Sequence, residues 1–137
     1  MNLLLYARDQ NGSGKQLRRA VETVFPLNHI EICRTFEVLS GRLHQPRNGL
    51  EIAVLYAVDT ADLTNLVSLQ NVLEDFRIIL IVPDNERDTI SQAHTLRPRF
   101  LTYAGGNFED VAMVLAKMIE NLKSSNTLIR SEEGIND

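Results

Sequence analysis

Short runs of consecutive apolar residues alternate along the chain with stretches whose apolar positions recur every three or four residues. The first run, Leu3 to Ala7, is followed by the turn-forming residues Asp9, Asn11, Gly12 and Gly14, as expected of a buried strand. From Ser13 to Phe25 the apolar residues Leu17, Ala20, Val21, Val24 and Phe25 fall on one helical stripe, and Pro26 ends it. Ser13 and Gln16 have the Ser-x-x-Gln spacing of a capping box. His29 to Cys33 alternates polar and apolar, which predicts a strand at a sheet edge. Thr35 is placed to cap a second helix carrying Phe36, Leu39 and Leu43, and Gln45 to Gly49 reads as a turn.

Ile52 to Ala57 is a continuous apolar run and Arg77 to Val82, apolar from Ile78 on, is the most hydrophobic strand, the pattern of strands covered on both faces. Between them Asp59 or Thr60 caps a predicted third helix, with Leu63, Leu66, Val67, Leu69, Val72 and Leu73 inward. After Pro83-Asp84-Asn85 a weakly amphipathic helix runs to about Leu96, and Pro98 to Tyr103 reads as a fifth strand, half polar. Asn107 is placed to cap a last helix with Phe108, Val111, Val114, Leu115, Met118, Ile119 and Leu122 inward. From Lys123 onward the sequence is polar, so the expected organisation is one domain over residues 1–122 and a mobile tail over 123–137.

Five strand–helix units in alternation imply right-handed crossovers and a parallel sheet with helices on both faces. Strands one, three and four are continuously apolar and belong inside; strands two and five carry polar residues and belong at the edges. The expected architecture is therefore a single doubly wound α/β domain with a five-stranded parallel sheet of order 2-1-3-4-5.

Composition adds little to this picture. At 137 residues and 44% hydrophobic the chain can bury a core without staples, and its net charge of −4 with no dense basic run argues against direct nucleic-acid binding. The single cysteine, Cys33, excludes an internal disulfide and suits a reducing cytoplasm. No run of 18 apolar residues exists, so no membrane contact is expected.

In such a sheet ligands bind beyond the carboxyl ends of the strands, near the switch between strands one and three. Asn11-Gly12-Ser13-Gly14-Lys15-Gln16 partly resembles a phosphate-binding P-loop, but Asp9 stands where the first Gly belongs and Gln16 where Ser or Thr belongs. Asp9, Asp59 and Asp84 all follow strands and are candidates for a shared divalent cation; cap and turn preferences explain them more simply, so no metal is expected. His29, His44 and His94 share no ligand spacing, and no nucleophile–base arrangement is suggested. Lys15, Arg18 and Arg19 read as a solvated helix face, and Gly105-Gly106 as a tight turn. No catalytic residue and no cofactor is expected.

The order and spacing of these units, up to about Leu122, resemble the receiver domain of two-component response regulators. Receivers keep an acidic pair for Mg²⁺ after strand one, a phosphoacceptor Asp at the end of strand three, a hydroxyl after strand four and a Lys after strand five. Carried onto this chain, the acidic pair falls on Arg8 and Asp9 and the acceptor on Tyr56, with Asp59 three residues later. The hydroxyl position falls on Pro83 beside Asp84, and the lysine position on Tyr103. Only Asp9 survives in type, so the resemblance is to an atypical receiver, or pseudo-receiver, without the means to neutralise a transferred phosphoryl group.

The resemblance implies a non-catalytic, cytoplasmic signalling module that acts through a protein partner and is not phosphorylated in the usual way. It also implies a candidate homodimer face around the fourth helix and fifth strand, with Arg97, Arg99, Glu86 and Asp88 as its polar part. The rival readings are a small nucleotide- or flavin-binding protein using the Asp9–Gln16 and Gly105–Gly106 loops, and a scaffold subunit of a larger assembly. Fold alone does not choose among these.

Overall fold

A computed structural model describes residues 1–8, 12–105 and 108–136, with side chains as far as Lys123. Five strands, β1 (Asn2–Ala7), β2 (Ile30–Cys33), β3 (Leu50–Tyr56), β4 (Arg77–Val82) and β5 (Phe100–Tyr103), form one sheet of order β2-β1-β3-β4-β5. Every pairing is parallel. The polar strands stand at the edges and the continuously apolar ones inside, as their patterns require. Asn2 N–H donates to the Gly49 carbonyl at 2.8 Å, at a turn where Gly49 adopts φ +87°, a conformation that costs glycine little.

Alternation along the strands divides the core between two faces. Leu4 and Tyr6 of β1, Ala53 and Leu55 of β3, and Ile78, Leu80 and Val82 of β4 pack with Leu39, Leu43, Leu63, Leu66 and Leu73 from the helices between β2 and β4. Leu3 and Leu5, Ile52 and Val54, and Ile79 and Ile81 pack on the opposite face with Leu17, Val21, Val111, Leu115 and Leu122.

The helices are α1 (Ser13–Glu22), α2 (Phe36–Leu43), α3 (Thr60–Val67), α4 (Gln70–Leu73), α5 (Arg87–Ala93) and α6 (Glu109–Asn136), with 3₁₀ turns at Leu27–His29 and His94–Leu96. Four differ from the pattern-based expectation. Ser13 is the first helical residue of α1, whose N-cap is Gly12 at φ 57°, ψ −121°, and no side chain caps it; the Ser13–Gln16 capping box does not form. That backbone geometry suits glycine, which takes the cap position Ser13 was expected to fill. α1 stops at Glu22, before Phe25, which still reaches the core.

The predicted third helix is two helices. Leu69 N–H donates to Leu66 O at 3.0 Å, a tightened turn that breaks the helical ladder while keeping Leu69 and Leu73 buried. The last helix runs on to Asn136, although its last buried residue among those with described side chains is Leu122. Asn107, the expected cap of α6, lies outside the described residues. Thr35 and Asp59 do cap α2 and α3, accepting from the N–H groups of Val38 and Asp62 respectively. No helix among the described residues is long and apolar enough to cross a membrane.

Candidate functional site

The parallel topology brings Arg8, Tyr56 to Asp59, Pro83-Asp84 and Tyr103 to the carboxyl edge of the sheet. Their side chains form no single cluster. Tyr56, last in β3, is 5% exposed, lies on the α1/α6 face and meets the Phe108 ring edge-on, with centroids 6.2 Å apart and planes at 61°. Asp59 is committed to capping: its Oδ1 accepts the Asp62 N–H at 2.7 Å. Asp84, behind the half-buried Pro83, accepts the Glu86 N–H at 3.0 Å in a local turn. Tyr103 is exposed, and its ring lies over the backbone of Gly105. Asp9, Gln10, Asn11, Gly106 and Asn107 lie outside the described residues. What remains of the P-loop-like segment is a helix start, in which Gln16 N–H donates to Gly12 O at 3.1 Å.

The charge at the centre of this edge is Asp62, which the sequence reading did not single out. It is fully buried in the first turn of α3, on the face opposite Tyr56. The Tyr6 hydroxyl, also fully buried, donates to Asp62 Oδ1 at 2.7 Å, and the Val58 N–H donates to Oδ2 at 3.2 Å. The Arg8 guanidinium, half exposed, stands 3.9 Å from Oδ1. Burial, then the hydrogen bond to Asp62 and its negative charge, pushes the Tyr6 hydroxyl above the ordinary tyrosine range, so it remains a donor. Asp59 and Asp62 therefore cap reciprocally: one carboxylate takes an N–H inside the helix, and the other reaches back to the residue before the cap. The spacing Asp59-x-x-Asp62 is a variant of the capping box and was the available signal.

A divalent cation does not fit the described groups. Arg8 is a cation, Tyr56 is turned into the core, Asp59 caps α3, Asp84 closes a local turn, and both Asp62 oxygens already accept hydrogen bonds. Among the described residues no group of three or more His, Cys, Asp or Glu is disposed to hold a metal.

No family model matches the chain, and no curated protein sequence matches it. Solved structures do. A response regulator receiver protein from Pseudoalteromonas atlantica superposes with a TM-score of 0.66 at 11% identity, covering 92% of this chain and 99% of that one. A receiver domain protein from Methanospirillum hungatei gives 0.64 at 14% identity, over 92% and 96% of the two chains. The fold is that of a response regulator receiver domain. A pilus assembly-related protein from Burkholderia pseudomallei shares the receiver fold seen here, with a TM-score of 0.62 at 16% identity over 88% of this chain and 87% of that one.

The residues expected to form a dimer face are spread over the segment from the start of α5 to β5. Glu86 and Asp88 stand exposed at the start of α5, and Arg99 is exposed immediately before β5. Arg97 holds a left-handed backbone at φ 50°, ψ 54° that closes the 3₁₀ turn into β5.

Proposed function

We propose that this chain is a non-catalytic receiver-like regulatory module that works through protein–protein contact and does not accept a phosphoryl group in the receiver manner. One observation carries the reading. The end of β3, where receivers place the acceptor carboxylate, holds Tyr56 packed edge-on against Phe108, while the nearest buried carboxylate, Asp62, has both oxygens hydrogen-bonded from within. Among the described residues at that edge, the carboxylates of Asp59, Asp62 and Asp84 are already engaged in hydrogen bonds within the chain.

The test is incubation with acetyl phosphate and Mg²⁺ followed by intact-mass measurement, beside a thermal scan with beryllofluoride. The expected result is no adduct and no stabilisation. A single phosphoryl adduct that disappears in Asp59→Asn overturns the reading and makes Asp59 a displaced acceptor.

The partner surface we favour is the α5–β5–α6 face, the counterpart of the receiver face made by the fourth helix, fifth strand and fifth helix. β5 is an unpaired edge of four residues, and edges invite pairing or cover. Opposite charges on Glu86 and Asp88 against Arg97 and Arg99 suit a two-fold arrangement in which each patch meets the other. Light scattering checks this: a dimer is expected, and charge reversal at Arg97 and Arg99 together dissociates it. The likeness to a pilus assembly-related structure supports a second reading of the same surface, as the docking face of a subunit in a larger assembly.

A further inference from the structure

At the opposite, amino-terminal edge of the sheet, we infer that Arg77 and Arg99 form a binding site for a dianionic phosphate group. Arg77 opens β4 and Arg99 immediately precedes β5, which pairs with β4. Their side chains meet at one cavity of about 170 Å³, floored by Met118 and Leu122 of α6 and completed by Asn121. That is room for several waters, and so for a tetrahedral oxyanion, but not for a nucleoside triphosphate.

The two guanidiniums have no partner among the described residues. The ion pairs found there use Arg8, Arg18 and Arg42, and Arg47 bonds the carbonyls of Leu50 and Asp75 while stacking on Phe76. No acidic side chain among the described residues lines the cavity. Two like charges brought to one half-enclosed cleft repel each other, and a shared anion removes that repulsion. Among the described residues of a chain with a net charge of −4, this pair of cations is uncompensated.

Charge matching selects the ligand. Two fixed positive charges complement a phosphate or phosphate monoester, which carries about −1.5 to −2 near neutral pH, better than a carboxylate. Each planar guanidinium offers two parallel N–H donors to such oxygens. Asn121 can supply a further amide N–H, and Met118 and Leu122 shield the contact from water on one side. This site is remote from the carboxyl edge and independent of the reading given to Tyr56 and Asp62; it shares Arg99 with the proposed dimer face, and Arg77→Gln, outside that face, tells the two uses apart.

The experiment is a titration of the ¹⁵N-labelled 137-residue chain with inorganic phosphate, phenyl phosphate and acetate at constant ionic strength. Phosphate is expected to shift resonances of Arg77, Arg99, Asn121 and Leu122 in a saturable way. Phenyl phosphate should bind more tightly if the natural ligand is a monoester with an apolar stem, and no more tightly if it is the free ion; acetate should leave these residues unmoved. Arg77→Gln and Arg99→Gln should each weaken phosphate binding at least about tenfold, from loss of a charge-assisted hydrogen-bond pair. Arg87→Gln, at an exposed arginine remote from the cavity, should not. The spectra also report whether each variant is folded; Arg99 is exposed, so its variant keeps the test valid if Arg77→Gln unfolds. Acetate binding as tightly as phosphate, shifts centred elsewhere, or an unchanged affinity in Arg99→Gln overturns the assignment.

Discussion

Replacing Asp62 by alanine tests the account of the carboxyl edge directly. The substitution strands the Tyr6 hydroxyl, which is fully buried and donates to Asp62 Oδ1 at 2.7 Å. A buried donor without an acceptor costs about 1–3 kcal/mol, and the Val58 N–H loses its acceptor as well. The Arg8 contact adds little: at 3.9 Å, with half the side chain in water, such a pair is worth about 0–1 kcal/mol. The expected loss is therefore about 3 kcal/mol, a large part of the roughly 5–15 kcal/mol that holds an ordinary domain together. Tyr6→Phe removes the other half of the bond and leaves a carboxylate oxygen short of a donor, at a cost of about 2 kcal/mol.

The double variant decides the matter, because with both groups gone no stranded hydroxyl remains. A hydrogen bond to a charged group predicts a coupling energy of about 1.5–3 kcal/mol between the two sites. Urea unfolding followed by circular dichroism measures it, provided the m-values of the four proteins agree. Costs that add to within about 0.5 kcal/mol would show that Tyr6 and Asp62 do not act on each other in solution.

Arg42 binds Glu31 through two nitrogens, at 2.6 and 3.4 Å, and donates to the carbonyls of Pro46 and Arg47; Arg42→Ala should cost about 1–2 kcal/mol in urea unfolding, and Glu31→Gln less than about 1. Burial, with the charge of Glu31, pushes the Cys33 thiol up to about 11. Its folded-state pKa is raised, so this contribution to stability is intact below the ordinary thiol value and is lost as pH climbs towards 11. At pH 8 an aromatic disulfide reagent should accordingly label Cys33 only as fast as the domain unfolds. Tyr56→Asp should cost about 3–5 kcal/mol in urea unfolding, since it exchanges a buried ring for a carboxylate in the core, and should gain no phosphoryl group from acetyl phosphate. A chain ending at Lys123 should keep its stability to within about 0.5 kcal/mol, because buried packing on α6 reaches Leu122; a larger loss would show that residues beyond it contribute to the fold.

The sheet was legible because strand polarity follows strand position: the inner strands β3 and β4 keep their charged residues, Glu51 and Arg77, to their beginnings, whereas the edge strands carry Glu31 and Thr102 in their middles. Helix ends were less legible. Leu69 keeps its inward position through a tightened turn, so the periodicity of the third helix runs straight across the break between Val67 and Gln70. The first cap was misread because Ser13 and Gly12 compete for it, and the backbone geometry at Gly12 decides in favour of glycine. Asp62 was missed for a different reason. A polar residue at an inward helical position reads as solvent-facing unless its partner is known, and the partner, Tyr6, is 56 residues away. The cation pair at the other edge was hidden in the same way: Arg77 and Arg99 are 22 residues apart and meet only because β4 and β5 pair.

Placement on opposite faces of the sheet sets what the carboxyl edge can transmit. In receivers the acidic pair, the acceptor, the hydroxyl and the lysine all belong to this one edge. Here Tyr56 belongs to the α1/α6 face and Asp62 to the other, and the Asp62 oxygens are satisfied by Tyr6 and Val58 without any ligand. A switch needs two states separated by a few kcal/mol and a ligand that binds one of them better. A state that left Tyr6 and Val58 without an acceptor would cost about 3 kcal/mol, which weighs such an equilibrium more than a hundredfold against it. Under the proposed function the domain therefore offers its partners one standing conformation. Control over it would lie in which partner is present, or in what occupies the far edge between Arg77 and Arg99, rather than in covalent modification at the end of β3.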